Sequence, residues 1–198
     1  PSHSSLSVAL RPIMRGGDDV SQLLQALEVI SDSAGAAASD GAAVVTGGLG
    51  GLGQLVASWD VRNNGAKHLT LLGRSGRVRE VDQPLIVSSG ACVVMTRSDV
   101  SSAEEATSTA MVSCAPIRML LHAGGVLQDA TLPNQTAGHV NTAMASKCAG
   151  MTRLDAETHT RDMRSSVMFS SVASLLGSGG QANYCAANGW LDAFARVA

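Results

Sequence analysis

Aromatic side chains supply only 3% of this 198-residue chain, and a single tyrosine, Tyr184, is among them. A core must therefore be built from Ala, Val, Leu, Ile and Met. Lysine is equally sparse, with Lys67 and Lys147 the only two. No cluster of Lys and Arg marks a nucleic-acid face, and 14 basic against 16 acidic residues leave a net charge of -2. The four cysteines, Cys92, Cys114, Cys148 and Cys185, lie far apart without CxxC spacing. That excludes a disulfide frame and a zinc site, and suits free or buried thiols in a reducing, intracellular compartment. No His/Cys/carboxylate cluster offers a metal site. No apolar run approaches a membrane span. The opening residues lack a methionine and a signal-peptide segment, and the chain reads as an excerpt of something longer.

What the chain does have is 45% hydrophobic residues and 21 glycines that cluster rather than spread. Its length fits one domain, or most of one. Residues 1–40 read as an N-terminal arm or inter-domain linker, with a short strand over 6–13 and a helix over 18–30. From Gly41 strands and helices alternate. Strands are predicted over 42–46, 68–72, 91–95, 117–121 and 166–169. Helices are predicted over 52–63, 78–89, 101–112, 133–158 and 181–198, with Gly65 ending the first and Ser101 or Ser102 capping the third. Five strands alternating with helices imply an α/β fold, a Rossmann-type doubly wound parallel sheet.

Between the first strand and its helix lies Thr46-Gly47-Gly48-Leu49-Gly50-Gly51-Leu52-Gly53. It satisfies both GxGxxG and TGxxxGxG. Such a turn lets a pyrophosphate approach backbone N–H groups at a helix N-terminus, where a Cβ would block it. Strand and helix stand where that motif needs them, so a dinucleotide site is expected. The second strand ends in Arg74-Ser75, with no acid for a bare ribose. Arginine there suits a 2′-phosphate and favours NADPH, although a solvated loop cation also fits. Asp99-Val100 and His122-Ala123-Gly124-Gly125 fall at strand ends on the ligand-binding edge. Asp99 would accept from an adenine amino group, and Gly124-Gly125 would let a cofactor lie close. His122 also suits a satisfied strand-end histidine.

Residues 169–192 read FSSVASLLGSGGQANYCAANGWLD, with Ser171 at a strand end and Tyr184 thirteen positions on. A serine hydroxyl and a phenol meeting there would hold and protonate one carbonyl oxygen. With VVTGGLGGLG, HLTLLGRSG and LLHAGGVLQDATL, this stretch resembles the short-chain dehydrogenase/reductases. It is most similar to the ketoreductase domains of modular polyketide synthases and animal-type fatty acid synthases. The likeness covers residues 41–198, which it implies to be an NADP-binding catalytic domain, incomplete at its C-terminus.

The resemblance implies a catalytic set. Most short-chain dehydrogenases carry YxxxK, but here the fourth position after the tyrosine is Asn188. The multienzyme ketoreductases make that exchange and place their lysine in the preceding long helix, as Lys147 is placed in Lys147-Cys148-Ala149-Gly150. Tyr184 is then the proton donor, Ser171 the carbonyl-orienting hydroxyl, Lys147 the ammonium that steadies the phenolate and holds the ribose, and Asn188 an orienter of Lys147 or of a water. Leu127-Gln128-Asp129 stands where one group has LDD. Asp129 is thereby implied to steer ketone entry, and Leu176 replaces the tryptophan of the opposite group. The implied reaction is NADPH-dependent reduction of a β-ketoacyl thioester on an acyl carrier protein domain, among neighbouring synthase domains. A cofactor-binding scaffold and a free-standing ketone reductase are the alternatives. The end at Ala198 is expected to leave an unpaired edge on the fifth strand. It is also expected to leave apolar surface at Val167, Phe169, Trp190, Leu191 and Phe194.

Overall fold

The computed structural model describes residues 6–10, 41–78, 90–113, 115–158 and 163–197. Strands covered on both faces read as unbroken apolar runs. β2 (Ala42–Thr46) is close to such a run, and with the largely apolar β5 (Ile117–His122) and β6 (Ser165–Phe169) it forms the centre of a parallel sheet, almost wholly buried. β3 (His68–Gly73) and the more exposed β4 (Cys92–Arg97) complete one side. The order is β1-β6-β5-β2-β3-β4, all parallel. The chain winds from β2 out to β4, then returns to β5 beside β2 and winds the other way. That reversal opens a crevice at the strand C-termini.

The sixth strand is β1 (Leu6–Leu10), which pairs in parallel with β6 from Leu6↔Ser165 to Leu10↔Phe169. Part of the predicted arm is thus sheet, and the expected unpaired edge on the fifth predicted strand is filled by the chain's own N-terminal strand. Sequence periodicity fixes that such a strand exists but not which edge it joins. The expected exposure of neighbouring side chains is corrected with it. Val167, Phe169 and Leu191 are buried. Trp190 and Phe194 are half-buried, stacked with ring centroids 4.8 Å apart.

The helices follow their end signals. α1 (Gly51–Asn64) stops at Gly65, which takes the left-handed conformation at φ 67° and donates to the Asp60 carbonyl. α2 (Ala103–Val112) is capped by Ser102, with Glu104 and Glu105 in its first turn. The helix predicted from residue 133 starts later. Leu132–Asn134 form a 3-10 turn, and Thr136 caps α3 (Ala137–Met144) through a capping box with His139. A π-helical segment, Ala145–Ala149, then leads into α4 (Gly150–Thr158). A short helix α5 (Ala173–Leu176) precedes α6 (Ala182–Phe194). The helices predicted over 18–30 and 78–89 lie outside the described residues.

Alternation along the strands feeds two cores. Val45, Leu71, Leu121 and Val167 pack with Val56 and Trp59 of α1 on one face. Val44, Leu72, Leu120 and Met168 pack with Met151 and Leu154 of α4 and Leu191 of α6 on the other. Each large side chain buried this fully stabilises the fold by about 1.5–3 kcal/mol. Those anchors fix α4 and α6, and with them the side chains below.

Candidate active site

The turn after β2 is shaped by what cannot fit in it. Gly47 has φ +65°, and a Cβ there would lie 2.8 Å from the carbonyl oxygen of Ala123. A Cβ on Gly53 would run into the Gly47 carbonyl and lie 2.6 Å from the Cα of Gly48. Strand end, turn and α1 therefore touch backbone to backbone. Gly50 caps α1 with no side-chain acceptor, and no acid occupies the first turn. The helix N-terminus thus faces the crevice with its N–H groups and positive dipole end uncompensated. A cleft of about 440 Å³ opens there. A pyrophosphate fits this cradle by the criterion of a missing Cβ and available N–H donors.

The cleft wall includes Thr46, the turn from Leu49 to Gly53 with Gly47, and Arg74, Ser75, Asp99, Val100, Ala123, Gly124 and Gly125. Gly48 is not in it. Its N–H donates to the Leu72 carbonyl at 2.9 Å, which ties the turn to β3. His122 is a second exception: it is fully buried beneath the cleft. Its Nε2 lies 3.1 Å from the Lys147 carbonyl, which only accepts, so Nε2 carries the proton. Nδ1 therefore accepts from Thr46 Oγ1 at 2.8 Å, and Thr46 Oγ1 accepts from Gly124 N–H at 3.2 Å. Burial first, then the Lys147 charge, pushes the imidazole down to about 3. The strand-end histidine is a neutral bridge. Hydrogen bonds from Ser101 hold Asp99 below the usual carboxylate range, with Arg74 and Arg153 helping against partial burial.

A second group gathers behind Gly125. Lys147 sits in the π-helical segment, 4% exposed, and its Nζ donates to the Phe169 carbonyl at 2.8 Å. The same Nζ lies 5.6 Å from the centre of the Tyr184 ring. A Cβ on Gly125 would meet Lys147 Cε at 3.2 Å, so this glycine is the roof of the lysine. Asn188 Nδ2 donates to the Tyr184 carbonyl at 2.8 Å, within α6 and not toward Lys147. Its own backbone carbonyl accepts from Ser170 Oγ at 3.2 Å. Ser171 Oγ accepts from Ala173 N–H at 3.2 Å, which leaves its proton to be given elsewhere. Residues 22 to 37 positions from Lys147 thus converge on its ammonium.

A family model described as the KR domain matches residues 41–198. The chain belongs to the KR domain family. These are the ketoreductase domains of polyketide synthases, within the short-chain dehydrogenase/reductases. This KR domain is 40% identical over 154 residues to a phenolphthiocerol/phthiocerol polyketide synthase polypeptide of Mycobacterium tuberculosis. That alignment covers 76% of this chain and 8% of the relative, so the chain spans a small part of the synthase. Among solved structures, an A-type ketoreductase from a modular polyketide synthase superposes with a TM-score of 0.72 at 33% identity. It covers 78% of this chain and 34% of that one. The ketoreductase of the first phoslactomycin module in a Streptomyces species gives 0.72 at 32% identity, covering 79% and 37%.

The electrostatics of the KR domain centre on Lys147. Burial pushes its ammonium down to about 8, and the nearby Cys148 and Asp192 pull it back up. The adjoining Cys148 thiol is pushed up to about 11 by burial, with the lysine charge opposing. Asp129 lies on the exposed loop after β5 and accepts from Gln181 Nε2 at 3.0 Å, just ahead of α6. Asn183 Nδ2 pins the same loop through the Gln128 carbonyl at 2.9 Å. Sequence reasoning missed Ser98 and Ser146, which also line the cleft. Ser98 follows β4 directly and was findable from the strand end. Ser146 lies in the π segment, a departure from the helical period that no pattern in the sequence announces. No helix among the described residues is long and apolar enough to cross a membrane.

Proposed function

We propose that this KR domain uses NADPH to reduce the β-keto group of an acyl thioester carried by an acyl carrier protein domain to the β-hydroxy group. The observation that carries the reading is the Lys147 ammonium lying between the Phe169 carbonyl and the Tyr184 ring, next to a glycine-walled cleft. The turn at Gly47–Gly53 and the α1 N-terminus would hold the pyrophosphate, and Arg74 would hold the 2′-phosphate. Bound NADPH supplies the hydride to the keto carbon. Tyr184 gives its phenolic proton to the carbonyl oxygen, and the C=O double bond becomes C–O–H. Ser171 donates a hydrogen bond to that oxygen, fixing where it sits. Lys147 stabilises the negative charge left on the phenol. It needs its own proton to do so, and the Phe169 carbonyl and Asp192 both favour the charged form.

Asp129 and Leu176 support ketone entry from the side associated with the D (3R) alcohol. Asp129 is tied to Gln181, just ahead of α6, and Leu176 ends α5, the helix that precedes α6. The reading is tested by incubating the native polypeptide with NADPH and a diketide thioester. The expected product is the (3R)-hydroxy thioester, formed with one NADPH consumed per ketone. NADPH binding without oxidation would favour the scaffold reading, and reduction of small ketones alone would favour a free-standing reductase.

A further inference from the structure

Tyr184, Asn188 and Asp192 recur every four residues along α6 and so share one face of the helix. Asp192 is 8% exposed. Its Oδ2 lies 2.6 Å from Ser174 Oγ. Ser174 Oγ is also 2.8 Å from the Ser171 carbonyl, but a hydroxyl has one proton. The Ser171 carbonyl already accepts from Ser174 N–H at 3.0 Å. A carboxylate accepts more strongly than a carbonyl, so the hydroxyl proton goes to Asp192. One turn earlier on the same helix, the Asn188 carbonyl accepts from Ser170 Oγ. Ser171 is therefore flanked by two hydroxyl bonds, one on each side, that run to the helix carrying Tyr184.

We propose that Asp192 and Ser174 form a positioning pair that fixes the Ser171 hydroxyl relative to Tyr184. The proposal deepens the ketoreduction reading and rests on it for its kinetic part. The segment 170–174 joins the end of β6 to α5, where no strand pairing holds it. Without the second clamp the packing of α5 on α6 remains, but the hydrogen bond that fixes the far end of the segment to α6 is gone. Ser171 would then sample positions away from the carbonyl oxygen it must meet, and a misplacement of about 1 Å is enough to cost about a hundredfold. Neither Asp192 nor Ser174 needs to touch substrate or cofactor for this.

The test is a double-mutant cycle with Ser174→Ala, Asp192→Ala and both together, in the native polypeptide. Ser174→Ala is expected to lower kcat about tenfold while the NADPH Kd stays within twofold. Asp192→Ala should lose at least as much, because its carboxylate also favours the Lys147 ammonium. The double variant should be no slower than Asp192→Ala alone, because Ser174 acts through its bond to Asp192. Ser174→Thr, which keeps the hydroxyl, should recover most of the loss. Multiplying losses, or an unchanged kcat in Ser174→Ala, would overturn the pair. Should Asp192→Ala fail to fold, the Ser174→Ala and Ser174→Thr comparison decides alone. Amide hydrogen exchange at residues 171–174 separates this inference from the reading beneath it. Exchange should quicken at least tenfold in Ser174→Ala whether or not the domain turns over, and unchanged protection there counts against the pair. A wild-type protein without turnover would instead count against ketoreduction.

Discussion

Lys147 Nζ lies 5.6 Å from the centre of the Tyr184 ring, although 37 residues separate the two in the chain. The lysine is 4% exposed and donates to the Phe169 carbonyl. This arrangement divides the effects of two substitutions. On the proposed reading, Tyr184→Phe removes the proton donor and little else. It should cut turnover a hundredfold or more, about 3 kcal/mol in the barrier, with NADPH binding nearly intact. Lys147→Ala should damage both binding and turnover. Burial holds Lys147 near 8, so wild-type turnover should fall as pH rises through about 8 and the ammonium is lost. Steady-state kinetics from pH 6 to pH 10 check this, and a flat profile above pH 8 would rule out a charged Lys147 as the active form.

Arg74 is exposed at the cleft rim, at the end of a strand that carries no acid. NADPH should bind at least tenfold more tightly than NADH, about 1.4 kcal/mol. Arg74→Ala should erase most of that difference while leaving NADH affinity in place. Fluorescence titration measures both constants, and equal values in the wild type would sink the assignment.

Much of this site was legible before folding. The turn from Thr46 to Gly53 declares itself because close backbone approach demands glycine, a constraint written in residue identity. Tyr184 and Asn188 are visible as one helix turn. What was hidden depends on three-dimensional closure. His122 suited a cleft residue or a satisfied strand-end histidine, and the second holds. What stayed hidden was its two hydrogen-bond partners, Thr46 and Lys147, which lie 76 and 25 residues away. The place of β1 was hidden for the same reason: a five-residue strand carries no mark of its partner. The π segment under Lys147 has no mark in the sequence, and Gly150, which follows it, sits so close to Val100 that a Cβ would lie 2.8 Å from its methyl group.

His122 bridges the glycine turn and the lysine segment, so its loss should loosen both. His122→Leu leaves the Thr46 hydroxyl proton without its acceptor and takes one of two donors from the Lys147 carbonyl, which keeps the Gly150 N–H. An unmatched buried polar group of this kind costs about 1–3 kcal/mol. The histidine is held near 3 in the fold and titrates near 6.5 when unfolded. The unfolded chain therefore binds a proton that the folded one refuses. Stability conferred above pH 6.5 is lost as pH falls toward 3, by about 1.4 kcal/mol per unit. Urea unfolding at pH 7 should show the variant weaker, with the gap closing by pH 5. A constant gap across that range would mean that His122 is not the neutral buried group described here.

Asp60 makes the opposite contribution. It sits within α1, fully buried, with Oδ1 accepting from Asn64 Nδ2 at 2.7 Å and Oδ2 without a partner among the described residues. Burial pushes its carboxyl up to about 6, against the Asn64 bond. The folded state then binds a proton between pH 4 and pH 6 that the unfolded chain has released. The stability this confers is fully present below pH 3.8 and is lost as pH rises through 6. Above that the ionised carboxylate costs the fold about 3 kcal/mol relative to its protonated form. Asp60→Asn cannot titrate and escapes the change. Whatever the substitution does at pH 4, the stability difference between variant and wild type should move in the variant's favour by about 2.5 kcal/mol at pH 7.5. Paired urea curves at the two pH values measure that difference and cancel every titration the two proteins share. An unchanged difference would show that Asp60 ionises freely in the fold, and that the buried end of α1 admits water.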